Sequence, residues 1–305
     1  MNVQHLVEYG AFQTVGFILR VLPLRTVQKL GAVLGEFVGM TLGYRREVTK
    51  DNLRNAFPDA DGDALQAIMR GSYRNVGISL FEFLCLPRFT VSALNTLVSI
   101  TNRDYVRELY ARGNGLIFLS AHFGNWEPLA QAIPVGIGIP VHVIVKPQSN
   151  KYVDRIISRW RTSFGNFIIP MESSVRELLK SLREKKAIGM AADQAAAKES
   201  LFVPFFGREV PTYEGPAMFS LKTGAPLIIG VAVRLPDGKY EAQFTEVPSS
   251  DLEGYTRENV ATLTKRHVAM TEAVIRKYPD QWMWMHKRWK HVPSRVNVEQ
   301  ATTRL

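Results

Sequence analysis

GLIFLSAHFGNWEPLAQAI, residues 115–133, decides how this chain is read. After the glycine turn at Gly115, the short apolar run Leu116 to Ala121 reads as a strand buried on both faces. From Trp126 onward, WEPLAQAI has helical character. His122, Phe123, Gly124 and Asn125 make the turn between them, and glycine permits a sharp bend there. Ligands of open α/β sheets bind at the carboxyl ends of the strands, so His122 stands where chemistry is expected.

The same texture continues outward. VHVIV (141–145), FIIP (167–170), AIGMAAD (187–193), PLIIGVAVRL (226–235) and KYEAQFTEV (239–247) read as strands. Helices are expected over 150–164, 173–184 and about 256–277, and Pro236-Asp237-Gly238 turns the last strand pair. Upstream, EVTKDNLRNAF reads as a helix ending at Pro58. Asp61 or Asp63 caps another through about Leu86, and Asn102 is the candidate cap of a helix stopping at Gly113. Alternating strands and helices predict an α/β fold: a mixed, mostly parallel central sheet flanked by helices.

The N-terminal stretch 11–44 is apolar but interrupted by Arg20, Pro23, Arg25, Lys29 and Glu36. No uncharged run reaches the ~20 residues of a spanning helix. Two shorter helices, 4–22 and 26–43, are expected. They lie either in a membrane interface, with Lys and Arg snorkelling to headgroups, or as a hairpin packed on the domain. A single span near 5–22 requires Arg20 to snorkel. Tyr44-Arg45-Arg46 supplies a basic cluster favouring an anionic membrane. This divides the chain into membrane-associated helices at 1–46, an α/β domain at 47–293 and a polar tail at 294–305.

Lys and Arg number 38 against 28 Asp and Glu, so the chain carries +10. That charge suits an anionic membrane or acidic partner. Nucleic acid is disfavoured for want of any recognisable binding signature. The single cysteine, Cys85, rules out a disulfide framework. Scattered histidines and the absence of HExxH argue against metal; no Walker loop or GxGxxG points to a nucleotide cofactor, and GxSxG is missing. No cofactor is expected.

His122 and Glu127 are the candidate catalytic pair. A hydroxyl becomes a good nucleophile when a base removes its proton, and imidazole titrates near neutrality. A carboxylate on the other ring nitrogen fixes the tautomer. His122 in the turn and Glu127 in the first helical turn can converge, so Glu127 is expected to orient His122.

At this point SAHFGNWE (120–127), together with NLRNAFPD (52–59), MAADQ (190–194), VPFFGREVPTYEGPAMFSLKTGAPLI (203–228) and YPDQWMWMHKRWK (278–290), resembles the late acyltransferases of lipid A biosynthesis. These belong to a wider group with a His-x4-Asp/Glu motif. The resemblance covers almost the whole chain. It implies catalysis by His122 and Glu127, acyl carrier protein as donor, and a phosphorylated glucosamine lipid as acceptor at the cytoplasmic face of the bacterial inner membrane.

Further substrate-binding candidates follow. By the resemblance, Arg159, on a face shared with Arg155, is the active-site arginine. Asp193 and Gln194 follow a strand and reach the same cleft, and Asn125 shares the His122 turn. Arg208 is placed to meet phosphate. Phe205 and Phe206 wall an acyl channel or simply pack in the core. In QWMWMHKRWKH (281–291), Trp282, Trp284 and Trp289 beside basic residues suit a membrane interface.

Overall fold

The computed structural model describes residues 3–172 and 175–292; the polar tail at 294–305 and the expected start of a helix at 173 lie outside them. Helices α1 (Val3–Val21) and α2 (Leu24–Glu36, prolonged by a wider turn over Phe37–Thr41) come first. They are followed by α3 (Arg46–Ala56), α4 (Gly62–Leu84), α5 (Val91–Leu97), the short strand β1 (Val98–Ile100) and α6 (Arg103–Ala111). Asp61 caps α4 by accepting from the Ala64 N–H. Asn102 precedes α6 without a side-chain cap bond. Its amide instead pairs with both backbone groups of Phe244, extending a strand edge.

The α/β part then runs β2 (Leu116–Ser120), α7 (Trp126–Ile137), β3 (Val141–Val145), α8 (Lys151–Thr162), β4 (Phe167–Pro170), α9 (Val175–Arg183) and β5 (Ala187–Ala191). A hairpin follows, β6 (Leu201–Phe205) and β7 (Arg208–Thr212). The last elements are α10 (Gly215–Thr223), β8 (Leu227–Arg234), β9 (Tyr240–Glu246) and α11 (Arg257–Lys277). Seven strands form one sheet in the order β1-β9-β8-β2-β5-β3-β4. Every pairing in it is parallel except β8 with β9. β2 is central and buried except at Ser120, as an uninterrupted apolar run requires. Apolar layers pack on both of its faces, one with Phe118, Leu129, Ile133 and Phe244, the other with Ile117, Leu119, Leu227 and Leu263.

The N-terminal helices dock through glycine. A Cβ on Gly35 of α2 would lie 2.1 Å from the Tyr73 carbonyl oxygen of α4, and one on Gly77 would lie 2.1 Å from that of Gly31. Small residues spaced four apart therefore let the two backbones touch. Phe12 of α1 stacks on Trp160 of α8, with ring centroids 5.4 Å apart. Arg20 does not snorkel: it donates to the Leu84 carbonyl at 2.9 Å and lies over the Trp160 ring. Among the described residues, no helix is long and apolar enough to cross a membrane.

The tryptophan-rich segment corrects an expectation. Trp282, Trp284, Trp289 and Arg288 are at most 5% exposed and sit in one aromatic cluster with Phe205 and Phe206. They present no surface to a membrane, and the two phenylalanines belong to this core. Asn52 of α3 donates to the carbonyls of Trp284 and His286, and Ser72 of α4 to that of Trp282. Two sequence blocks more than 200 residues apart thus interlock.

Candidate active site

β2 and β5 are parallel neighbours whose last residues, Ser120 and Ala191, are paired. Two residues beyond each end stand His122 and Asp193. The register alone therefore brings them side by side. Asp193 Oδ1 lies 2.8 Å from His122 Nδ1, while Oδ2 accepts from the His122 backbone N–H at 2.9 Å and from Trp282 Nε1 at 2.8 Å. With Nδ1 engaged, Nε2 is the ring nitrogen left for a substrate. Gln194 adds a weak contact to Nδ1 at 3.4 Å, and Trp126 meets the imidazole edge-on with centroids 4.9 Å apart.

Burial pulls the His122 pKa down. The Asp193 charge and hydrogen bond, helped by the nearby Glu127 charge, outweigh it and leave the imidazole above its ordinary value. Asp193 is enclosed, which alone would raise its pKa. The His122 ring and the Trp282 and backbone donors hold it well below the usual carboxylate range.

The turn after His122 is stitched to the C-terminal segment. Gly124 donates to the Gln281 carbonyl at 2.9 Å and Met283 to that of His122 at 3.0 Å. Gly124 has φ +53°, and a Cβ there would come 1.7 Å from the Ala232 carbonyl oxygen. Only glycine fits this bend. Asn125 then caps α7 by accepting from the Glu127 N–H at 3.3 Å.

Glu127 makes no hydrogen bond to His122. Its carboxylate pairs with Arg161 of α8, Nη2 to Oε1 at 2.5 Å and Nε to Oε2 at 3.1 Å. The expected orienting role falls geometrically to Asp193, because Glu127 leans from the first turn of α7 across to α8. The arginine that lines the cavity is likewise Arg161, while Arg159 is exposed. Periodicity carried this signal: Ile157 is buried, Arg161 is four residues on and shares its face, and Arg159 points about 200° away. Asn125 is fully buried and bonded within the protein, to Glu82 and the Glu127 N–H. Arg208 sits in the hairpin, where it donates to Asn55 of α3, away from the cleft.

His122, Trp126, Glu127 and Arg161 line a cavity of about 270 Å³, as do Lys146 and Gln148. Its walls are apolar: Phe118, Leu129, Ile133, Val141, Val143, Met190 and Phe244, between the sheet and α7. A polar mouth over an apolar interior suits a substrate with a reactive head and a hydrocarbon chain.

The sequence model for bacterial lipid A biosynthesis acyltransferases matches residues 1–291. The chain belongs to that family. It is similar to the lipid A biosynthesis palmitoleoyltransferase of Escherichia coli (strain K12), 24% identical over 275 residues, covering 89% of this chain and 87% of the relative. It is also similar to the lipid A biosynthesis lauroyltransferase of the same organism, 24% identical over 277 residues, covering 90% and 89%. A phosphatidylinositol mannoside acyltransferase of Mycolicibacterium smegmatis (strain ATCC 700084 / mc(2)155) is 21% identical over 247 residues, covering 80% and 79%. As a member of the lipid A biosynthesis family the protein is an acyltransferase, and the cavity beside His122 is its candidate active site.

Proposed function

We propose that this acyltransferase moves a fatty acyl chain from acyl carrier protein to a hydroxyl of a phosphorylated glucosamine lipid, a lipid A precursor, at the cytoplasmic face of a bacterial inner membrane. The observation that supports it most is the His122 imidazole, held at Nδ1 by a buried carboxylate and set at the mouth of an apolar cavity. Nε2 takes the proton of the acceptor hydroxyl as that oxygen attacks the thioester carbonyl carbon. The tetrahedral intermediate collapses, the C–S bond breaks, and the proton passes from His122 to the departing thiolate. Thioester and alcohol become ester and thiol, with no covalent enzyme intermediate.

In this reading Asp193 is a positioning residue that keeps the proton on Nδ1 and stabilises the imidazolium as it forms. Arg161, held by Glu127, offers its guanidinium to the developing oxyanion or to an acceptor phosphate. Glu127 serves through Arg161 and through its charge on the ring.

The net charge of +10 favours an acidic donor protein through electrostatic steering. An exposed apolar stripe supports membrane docking: Val3, Val7, Phe17, Ile18 and Val21 on α1, then Leu30, Val33, Leu34 and Phe37 over α2 and its extension. Each is worth roughly 1–2 kcal/mol on leaving water. The helices lie in the leaflet rather than across it. The names of the Escherichia coli relatives favour a lipid A acceptor over a mannoside one.

The test offers the purified protein an acyl carrier protein thioester or the matching coenzyme A thioester, with a lipid A precursor or phosphatidylinositol mannoside in mixed micelles. Mass spectrometry should find one added acyl chain on the lipid A precursor, formed faster from the carrier protein. Acylation of the mannoside alone would overturn the acceptor, and equal use of coenzyme A the donor.

A further inference from the structure

Beneath the catalytic turn lies a buried polar network on one face of α4. Asn75, Ser79 and Glu82 follow a four- then three-residue spacing, so they line up along that helix. Asn75 Nδ2 donates to the carbonyls of Gly124 and Gln281, and Ser79 Oγ donates to the carbonyl of Gly124. Glu82 is 0% exposed. It accepts from Asn125 Nδ2 at 2.6 Å and Tyr240 OH at 2.5 Å on one oxygen, and from Gln28 Nε2 at 2.6 Å on the other. Arg234 closes the group, 3.9 Å from the carboxylate and bonded to Tyr240 OH.

One consequence concerns the Asn125 amide. Its Nδ2 points at Glu82, so its Oδ1 must face the Glu127 N–H and cap α7. A buried carboxylate cannot donate, so an amide flipped the other way would meet Glu82 oxygen to oxygen. Glu82 therefore dictates the orientation of the cap, and through the cap the start of the helix that carries Glu127. The same carboxylate is the anchor for Gln28, which also donates to the Gly238 carbonyl at 2.8 Å. It thus ties the N-terminal helices to the turn beside His122.

We propose that Glu82 is a positioning residue of the active site, fixing the Asn125 cap and hence the Glu127–Arg161 pair at the cavity mouth. This rests on the reading of the His122 cavity as the acyl-transfer site.

The experiment compares two replacements of Glu82. In E82Q the oxygen keeps the position where Asn125 and Tyr240 both donate, and the new NH₂ turns to Gln28, whose amide flips to accept it; the Asn125 cap is retained. In E82L no acceptor remains, so nothing orients the Asn125 amide and α7 loses its cap. Steady-state transfer is measured well below each variant's melting temperature. The expected result is a kcat at least tenfold lower in E82L, a donor KM within twofold of wild type, and an E82Q kcat within about threefold of wild type. A purely structural role would lower the melting temperature and leave kcat of the folded protein alone. Wild-type kcat in folded E82L overturns the proposal. Should E82L not fold, N125A decides, because it removes the cap that Glu82 orients: a kcat within threefold of wild type there overturns the proposal. If the wild-type enzyme and H122A transfer equally, it is the reading of the site that fails, and not the role of Glu82 alone.

Discussion

Replacing Asp193 with asparagine removes one charge and almost no volume, and the structure sets what should follow. Three donors converge on the carboxylate: the His122 ring, the His122 backbone N–H and Trp282 Nε1. An asparagine has a single acceptor oxygen. Both fixed N–H groups meet at Oδ2, so that position keeps the oxygen and the new NH₂ turns to the ring. Nδ1 must then accept, which moves the ring proton to Nε2, where the base is needed. The wrong tautomer in a His–carboxylate pair costs about 10⁴ in kcat, or about 5.4 kcal/mol. The fold should survive, because both bonds to the retained oxygen, from the His122 backbone N–H and Trp282 Nε1, persist. The pH profile supplies a second readout. Asp193 holds the His122 pKa above its ordinary 6.5, so wild-type transfer should rise as pH climbs through a value above 6.5. In D193N that support is gone, and the acid limb of the residual activity should move down. The assay is single-turnover acyl transfer by rapid quench, with circular dichroism to verify folding. A folded D193N enzyme within tenfold of wild type, with an unmoved acid limb, would refute the assignment of Asp193 as the partner of His122.

Three further outcomes are expected. R161A should lower kcat/KM about 100-fold by removing the guanidinium paired with Glu127 at the cavity wall, while R159A stays within twofold; the reverse ranking would restore Arg159 as the site arginine. G124A should cost at least ~2 kcal/mol of stability, from a left-handed backbone and a Cβ driven into the Ala232 carbonyl, as read by denaturant unfolding; unchanged stability would show that the turn is not as constrained as its geometry. F17E/I18E should weaken binding to vesicles with anionic lipid at least tenfold at an unchanged melting temperature, and unaltered partition would remove the α1 stripe as the docking face.

Much of the fold was legible because local pattern and tertiary role agree. β3 and β4 fall on their apolar runs to the residue, and the Asp61 cap sits where capping chemistry puts it. The β6–β7 hairpin was not legible. Pro204 and Pro211 argue against strand, yet in a two-stranded ribbon every strand is an edge and has room for them. Tryptophans mixed with lysines and arginines look interfacial, but Arg288 buries by donating to Pro211 and Thr212 and carries its neighbours inward. In the site, His122 was legible from its place after a central strand. Its partner was not. Glu127 is five residues away and visible to any local reading, whereas Asp193 is 71 residues away and reaches His122 through the pairing of β2 with β5. Local spacing proposes pairs, but sheet register decides them.

The most direct test of the whole account is a single turnover in which excess enzyme meets acyl carrier protein charged with a ¹⁴C-labelled acyl chain and a lipid A precursor. Wild type should move the label into the lipid as one ester. Folded H122A should leave nearly all of it on the carrier protein, because the base that takes the hydroxyl proton in this account is His122 Nε2. Label transferred by H122A at the wild-type rate, or a wild-type enzyme that leaves the lipid unlabelled, would contradict it.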